Sequence, residues 1–236
     1  MIIQELQKSD YRIRKLIGVL GLCLPFLLFI SQGELFSSIS HYYYQPLTSL
    51  FFIIIISAFA LFLISYKGYK IDLTTERISD DFITNIGGIA ALVVVFIPTR
   101  CINSGSSSID IICKSGIYPL LGHNDETLGT IHLISAGVFI LAMGWMSKYK
   151  FKRSPNDTNK KLYVICGNLV FVSVGLMIAL IILEKLGISF WLDKYYVIIL
   201  ETTAIVPFGI SWLVKGRVIQ DLKEIRKNFG KNHSLD

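Results

Sequence analysis

Charge is scarce in this chain, and over most of its length it is missing. Asp, Glu, Lys and Arg make up only 17% of the 236 residues. Six long runs contain none of them apart from Glu201: Leu16–Gly33, Pro46–Tyr66, Phe82–Thr99, Leu128–Ser147, Leu162–Leu183 and Tyr195–Val214. A soluble domain of this size does not sustain such runs. A hydrocarbon core about 30 Å thick needs roughly 20 residues of helix to cross it. The reading is an all-α, polytopic transmembrane helix bundle with six spans (16–33, 46–66, 82–99, 128–147, 162–183 and 195–214). No connection between them is long enough for a separate soluble domain.

Catalytic signatures are missing too. There is no His-Glu-x-x-His, no phosphate-cradling glycine loop, no nucleophile elbow and no dinucleotide fingerprint. The four histidines are His41, His123, His132 and His233, and no two lie one helical turn apart. No metal and no cofactor is therefore expected. The two three-span halves share no residue pattern, so an inverted-repeat transporter gains no support.

What charge there is sits unevenly. The formal net charge is +6, but its distribution does not describe a nucleic-acid surface, and no nucleic acid is expected as a partner. With the N-terminus placed in the cytoplasm, 19 of the 23 basic residues fall inside, and only Arg100, Lys114, Lys185 and Lys194 fall outside. Every loop of that topology obeys the positive-inside rule. Both termini are thus expected in the cytoplasm of a multi-pass inner (plasma) membrane protein. Residues 1–15 read as an amphipathic lead-in at the inner interface. Residues 217–236 read as a basic tail. The first run is not expected to be a cleaved signal peptide, because Glu34-Leu35-Phe36 is a poor cleavage context.

Only four cysteines are present. Cys23 and Cys166 fall inside spans, where a thiol behaves as a small apolar side chain. Cys101 and Cys113 share the third-to-fourth connection on the outer side. An oxidising compartment favours a disulfide there over two free thiols.

Few polar residues remain that could carry chemistry. Glu201 lies about two turns into the sixth span. An intramembrane acid must face the bundle interior, pair or stay protonated; it is either a functional group or interhelical glue. His132 opens the fourth span and His41 precedes the second, both on the outer side. The three residues share a similar depth and come from separate elements, so a bundle can gather them around an outward-facing pocket. As catalytic candidates, Glu201 would be the general base or a metal ligand, with His41 and His132 assisting. Arg100, Tyr42 and Tyr43 are the candidates for contact with a lipid headgroup, the tyrosines as part of an aromatic belt. Asp80 with Asp81, and Asp125 with Glu126, read as acidic helix starts. Gly87-Gly88 marks a close helix crossing in the third span.

Several segments carry a resemblance. They are Ser38-Ile-Ser-His-Tyr-Tyr-Tyr-Gln-Pro, Ser65-Tyr-Lys-Gly-Tyr, Asn85-Ile-Gly-Gly, Ile97-Pro-Thr, His132-Leu-Ile-Ser-Ala and Phe208-Gly-Ile-Ser-Trp-Leu-Val-Lys-Gly. Together they resemble an uncharacterised family of bacterial six-span membrane proteins, distantly similar in layout to the DRAM, Frag and Sfk group. That resemblance implies a lipid-related role and carries no catalytic residue across. Ser37-x-x-x-His41 is also similar to the first motif of the ceramidase and adiponectin-receptor hydrolases. Those need His-x-x-x-His in their last span, and the last span here has no histidine.

Three functions follow as expectations. The first is lipid binding or lipid organisation through an outward-facing polar pocket. The second is a membrane-embedded hydrolase or transferase acting on a lipid headgroup. The third is a small proton-coupled transporter titrating at Glu201. The expected partners are membrane lipids, with a second copy or another membrane protein beside them.

Overall fold

Each of the six apolar runs is helical in the computed structural model, which describes residues 8–68, 71, 77–102, 107–153, 158–188 and 194–221. The long helices are α1 (Lys8–Gln32), α2 (Pro46–Ser65), α3 (Asp80–Phe96), α5 (Glu126–Trp145), α6 (Lys160–Lys185) and α7 (Tyr196–Lys215). A short α4 (Ser107–Ser115) lies in the α3–α5 connection, and a 3-10 segment, Ile39–Tyr44, joins α1 to α2. No strand occurs among the described residues. Residues 1–7 of the lead-in and residues 222–236 of the basic tail, His233 included, lie outside the described residues.

Five helices are long and apolar enough to cross a membrane: α1, α2, α5 with its extension to Arg153, α6 and α7. The remaining run, Phe82–Thr99, forms the shorter α3, of 17 residues.

Local chemistry sets the helix starts. Pro46 occupies the first turn of α2, where its missing N–H is not needed. Asp125 accepts from the Leu128 N–H at 2.9 Å and caps α5. At α3 the cap is Ser79, which accepts from Phe82 N–H. Asp80 is buried instead and paired with Arg153 and Lys150. Lys150 reaches it because α5 ends in a π-helical turn, Met146–Lys150, that shifts the register of the side chains beyond Trp145.

The six long helices close into a ring in the order α1, α2, α3, α5, α6, α7 and back to α1. Small residues set the tightest crossings. A Cβ on Gly88 would lie 2.8 Å from the Ala60 carbonyl oxygen, so α3 packs backbone to backbone on α2, as Gly87-Gly88 leads one to expect. Gly18 and Gly209 do the same for α1 and α7. Aromatic rings fill the axis. Phe59 stacks on Phe139 and Phe208, with centroids 6.0 and 5.7 Å apart. A small apolar cavity beside them is lined by Leu24, Met143, Ala204 and Ile205. Buried Trp212, Tyr66, Arg14 and Lys215 close the basic end.

Candidate functional site

Three serines organise the other end of the bundle. The connection leaving α1 turns at Ser38, whose extended backbone starts the 3-10 segment. That turn presents Ser37, Ser38 and Ser40 within four residues. Each serine meets one of the three ionisable groups singled out above.

Ser38 Oγ donates to Glu201 at 2.9 and 3.0 Å, and the Ile39 N–H donates to the same carboxylate at 2.6 Å. Glu201 thus holds the start of the 3-10 segment from α7. His132 holds its middle from α5. The His132 Nδ1 lies 2.7 Å from the Ile97 carbonyl oxygen, which can only accept, so the proton sits on Nδ1. Nε2 is then an acceptor, and the Ser40 hydroxyl donates to it at 2.9 Å. His41 binds within its own turn, with Nδ1 2.8 Å from Ser37 Oγ. The Ser40 N–H donates back to Ser38 Oγ at 3.1 Å, which links the Glu201 and His132 arms.

The structure therefore brings Glu201, His132 and His41 together on one segment, residues 37–41. His41 and His132 are 5% and 3% exposed, and Ser40 is 8% exposed. This leaves little room for a substrate at the Ser40–His132 pair. The group orienting His132 is a main-chain carbonyl, which lacks the charge that an acid–base histidine draws from a carboxylate. Glu201, which could supply that charge, is bound to Ser38 and Ile39. No group of three His, Cys, Asp or Glu side chains suited to a metal occurs among the described residues. What this arrangement does chemically is fasten α5 and α7 to the α1–α2 connection.

Tyr42 and Tyr43, read from the sequence as headgroup contacts, are each 1% exposed. The Tyr42 hydroxyl donates to the Glu34 carbonyl at 2.9 Å, and the Tyr43 hydroxyl accepts from the Leu121 N–H at 3.2 Å. Both rings form walls of an end cap and present no face to a headgroup. Tyr44 donates to the Thr99 carbonyl and packs edge-on against Tyr118. Arg100 is partly exposed, with its guanidinium 3.8 Å from the exposed Glu126 carboxylate. That is a weak contact which leaves it open to an anion. Cys101 and Cys113 lie at disulfide distance, with Sγ atoms 2.00 Å apart, and tie α4 onto the 97–102 stretch. A further hydrogen bond, Ser108 Oγ to Glu34 at 2.8 Å, ties α4 to the end of α1.

The chain matches no family model, no curated protein and no solved structure.

Sequence reasoning singled out the two histidines and the glutamate, and Ser37 in a motif with His41, but not Ser38 and Ser40 as the partners of Glu201 and His132.

Burial fixes the charge state of His41. It pushes the imidazole from the ordinary 6.5 down to about 4, with His132 adding to the effect and a backbone hydrogen bond at Arg100 opposing it. An unfolded His41 takes up a proton that the folded one refuses between those values. The stabilisation is therefore complete above about pH 6.5 and is lost as pH falls through about 4. Its size is roughly 3 kcal/mol. Melting curves of the purified protein at pH 7.5 and 4.5 should show a marked loss at the lower value, and His41→Gln should reduce that loss. An unchanged pH response in the variant would remove His41 from this role.

Proposed function

We propose that this chain is a six-span protein of the inner (plasma) membrane, with both termini in the cytoplasm, that binds and organises lipid without turning it over. Counted as the third span, α3 covers about 25 Å at 1.5 Å per residue, and it sits in the ring between α2 and α5. The charge asymmetry of the connections supports the orientation.

One observation carries the functional reading. Glu201, His132 and His41 all bond to residues of the 37–41 turn, so the polar residues most suited to chemistry are occupied in building the cap. The surface left to act on surroundings is apolar. It runs over the outward faces of the helices, for example Ile30, Leu61, Ile89, Ile134 and Ile178, and continues onto the cap at Ile111, Ile117, Leu120 and Leu121. Arg100 and Lys114 stand beside that apolar cap with charge suited to lipid phosphate. The resemblance to the DRAM, Frag and Sfk layout points the same way. The hydrolase reading is disfavoured by the burial of Ser40 and His132. The transporter reading is disfavoured by the rings that fill the axis.

Native mass spectrometry of the detergent-purified protein is the test. A defined lipid class that survives delipidating washes is the expected result. A bare polypeptide mass at every detergent concentration would overturn the reading.

A further inference from the structure

Helices α5 and α6 are in contact at one end and apart at the other. Near the basic end they touch closely. A Cβ on Gly144 would lie 2.8 Å from Val170 Cγ1 and 3.6 Å from the Phe171 ring, and one on Gly167 would lie 2.5 Å from Lys148 Cβ. The Ser147 hydroxyl donates to the Tyr163 carbonyl at 3.2 Å at this level. Gly137 lies seven residues before Gly144, on nearly the same face and about 10 Å further along. Gly175 lies four residues beyond Phe171, again on the same face. A Cβ built on either would meet nothing within 4 Å. The α5 face that is packed at Gly144 is thus open at Gly137, and α6 is open at the outer edge of its facing side at Gly175, while Val174, seven residues beyond Gly167, stays buried beneath.

The divergence has a cause in the bonds already described. The upper half of α5 is held toward the 3-10 segment and the end of α3 by His132, through Ser40 and Ile97. The upper half of α6 is held toward α7, where Ser173 bonds Thr203 at 3.2 Å and the Tyr196 hydroxyl bonds Glu184 at 2.9 Å. With α5 drawn one way and α6 the other, a tapering slot opens between them, with α7 behind it.

We infer that this slot holds one acyl chain of a lipid from the leaflet at the disulfide end. Its place within the apolar length of two spans puts hydrocarbon at its mouth. Its borders are apolar, with Ile134 and Ile178 exposed along them. Its taper selects the occupant. A helix with side chains is about 10–12 Å across and cannot follow a slot that closes to contact within two turns, whereas an unbranched chain can. The slot rests on the lipid-binding reading and gives it a location.

The experiment compares lipid retention by native mass spectrometry in wild type, Gly137→Phe with Gly175→Phe, and Ile30→Phe on the far side of the bundle. Filling the slot should lower the lipid-bound fraction about tenfold, while Ile30→Phe leaves it unchanged. Helix content and gel-filtration profile check folding. If the double variant does not fold, Gly137→Leu and Gly175→Leu singly should each give a smaller loss. Equal retention in wild type and filled variants overturns the slot but leaves lipid binding standing. A wild type without lipid overturns both. A dimeric mass that is lost in the filled variants, with lipid retention unaffected, would assign the face to a second copy and overturn the slot.

Discussion

Replacing Glu201 with alanine should lower the melting temperature of the purified protein by roughly 6–12 °C. The carboxylate accepts from the Ser38 hydroxyl and from the Ile39 N–H, and Ser38 and Ile39 are 9% and 4% exposed. Alanine leaves both donors without their acceptor. A buried unsatisfied donor costs about 1–3 kcal/mol, so the pair costs about 3 kcal/mol. For a chain of this length each kcal/mol is worth roughly 2–4 °C. Glu201→Gln keeps one acceptor oxygen and should cost about a third as much. The local signature is faster hydrogen exchange at the Ile39 and Ser40 amides. Unchanged melting and unchanged exchange in the alanine variant would mean that the cap does not depend on Glu201. The result matters for function because it separates an acid that builds the cap from one that acts on a ligand.

Gly18→Val should be at least as damaging, for a different reason. A Cβ at Gly18 would sit 2.7 Å from the Leu213 nitrogen and 2.8 Å from the Gly209 carbonyl oxygen. Both are backbone atoms of α7, so no side chain can rotate out of the way. The two helices must separate, and every contact along their crossing loosens. Overpacking of this kind costs about 1–3 kcal/mol or more, with the upper end expected for a branched side chain. Gly137→Ala offers the contrast. Its Cβ enters open space, and replacing a helical glycine gains about 0.5–1 kcal/mol. Thermal melts of the two variants beside wild type should therefore move in opposite directions. A similar small shift in both would contradict the α1–α7 crossing.

These glycines also show where sequence reading stops. The long apolar helices were legible because apolar length is a property of the chain itself. Gly144 and Gly137 lie seven residues apart on one helix and look alike in the sequence. One is pressed against Val170 and the other faces a gap. Only the directions taken by α5 and α6 distinguish them, and those directions depend on partners far away in the chain. Tyr42 and Tyr43 show the same limit, since tyrosines beside a span suit a headgroup belt and a buried cap equally well. Glu201 and His132 stood out as polar groups in apolar surroundings. Their bonds to Ser38 and Ser40 did not, because the serines belong to another element. Asp80 does lie in the acidic first turn of α3, but its pairing with Lys150 and Arg153 depends on the π-helical and 3-10 turns after Trp145, which no residue pattern announced.

The clamp on the 37–41 turn also has a history in time. Ser40 precedes its partner His132 by 92 residues, and Ser38 precedes Glu201 by 163. A ribosome adding about 5–20 residues per second needs roughly 10–30 s to pass from Ser38 to Glu201. Over that interval the Ser38 hydroxyl and the Ile39 N–H of the nascent connection are bound to water. The connection docks only when the last helix arrives. A chain halted before α7 is therefore left with an unfastened cap that quality-control proteases can reach.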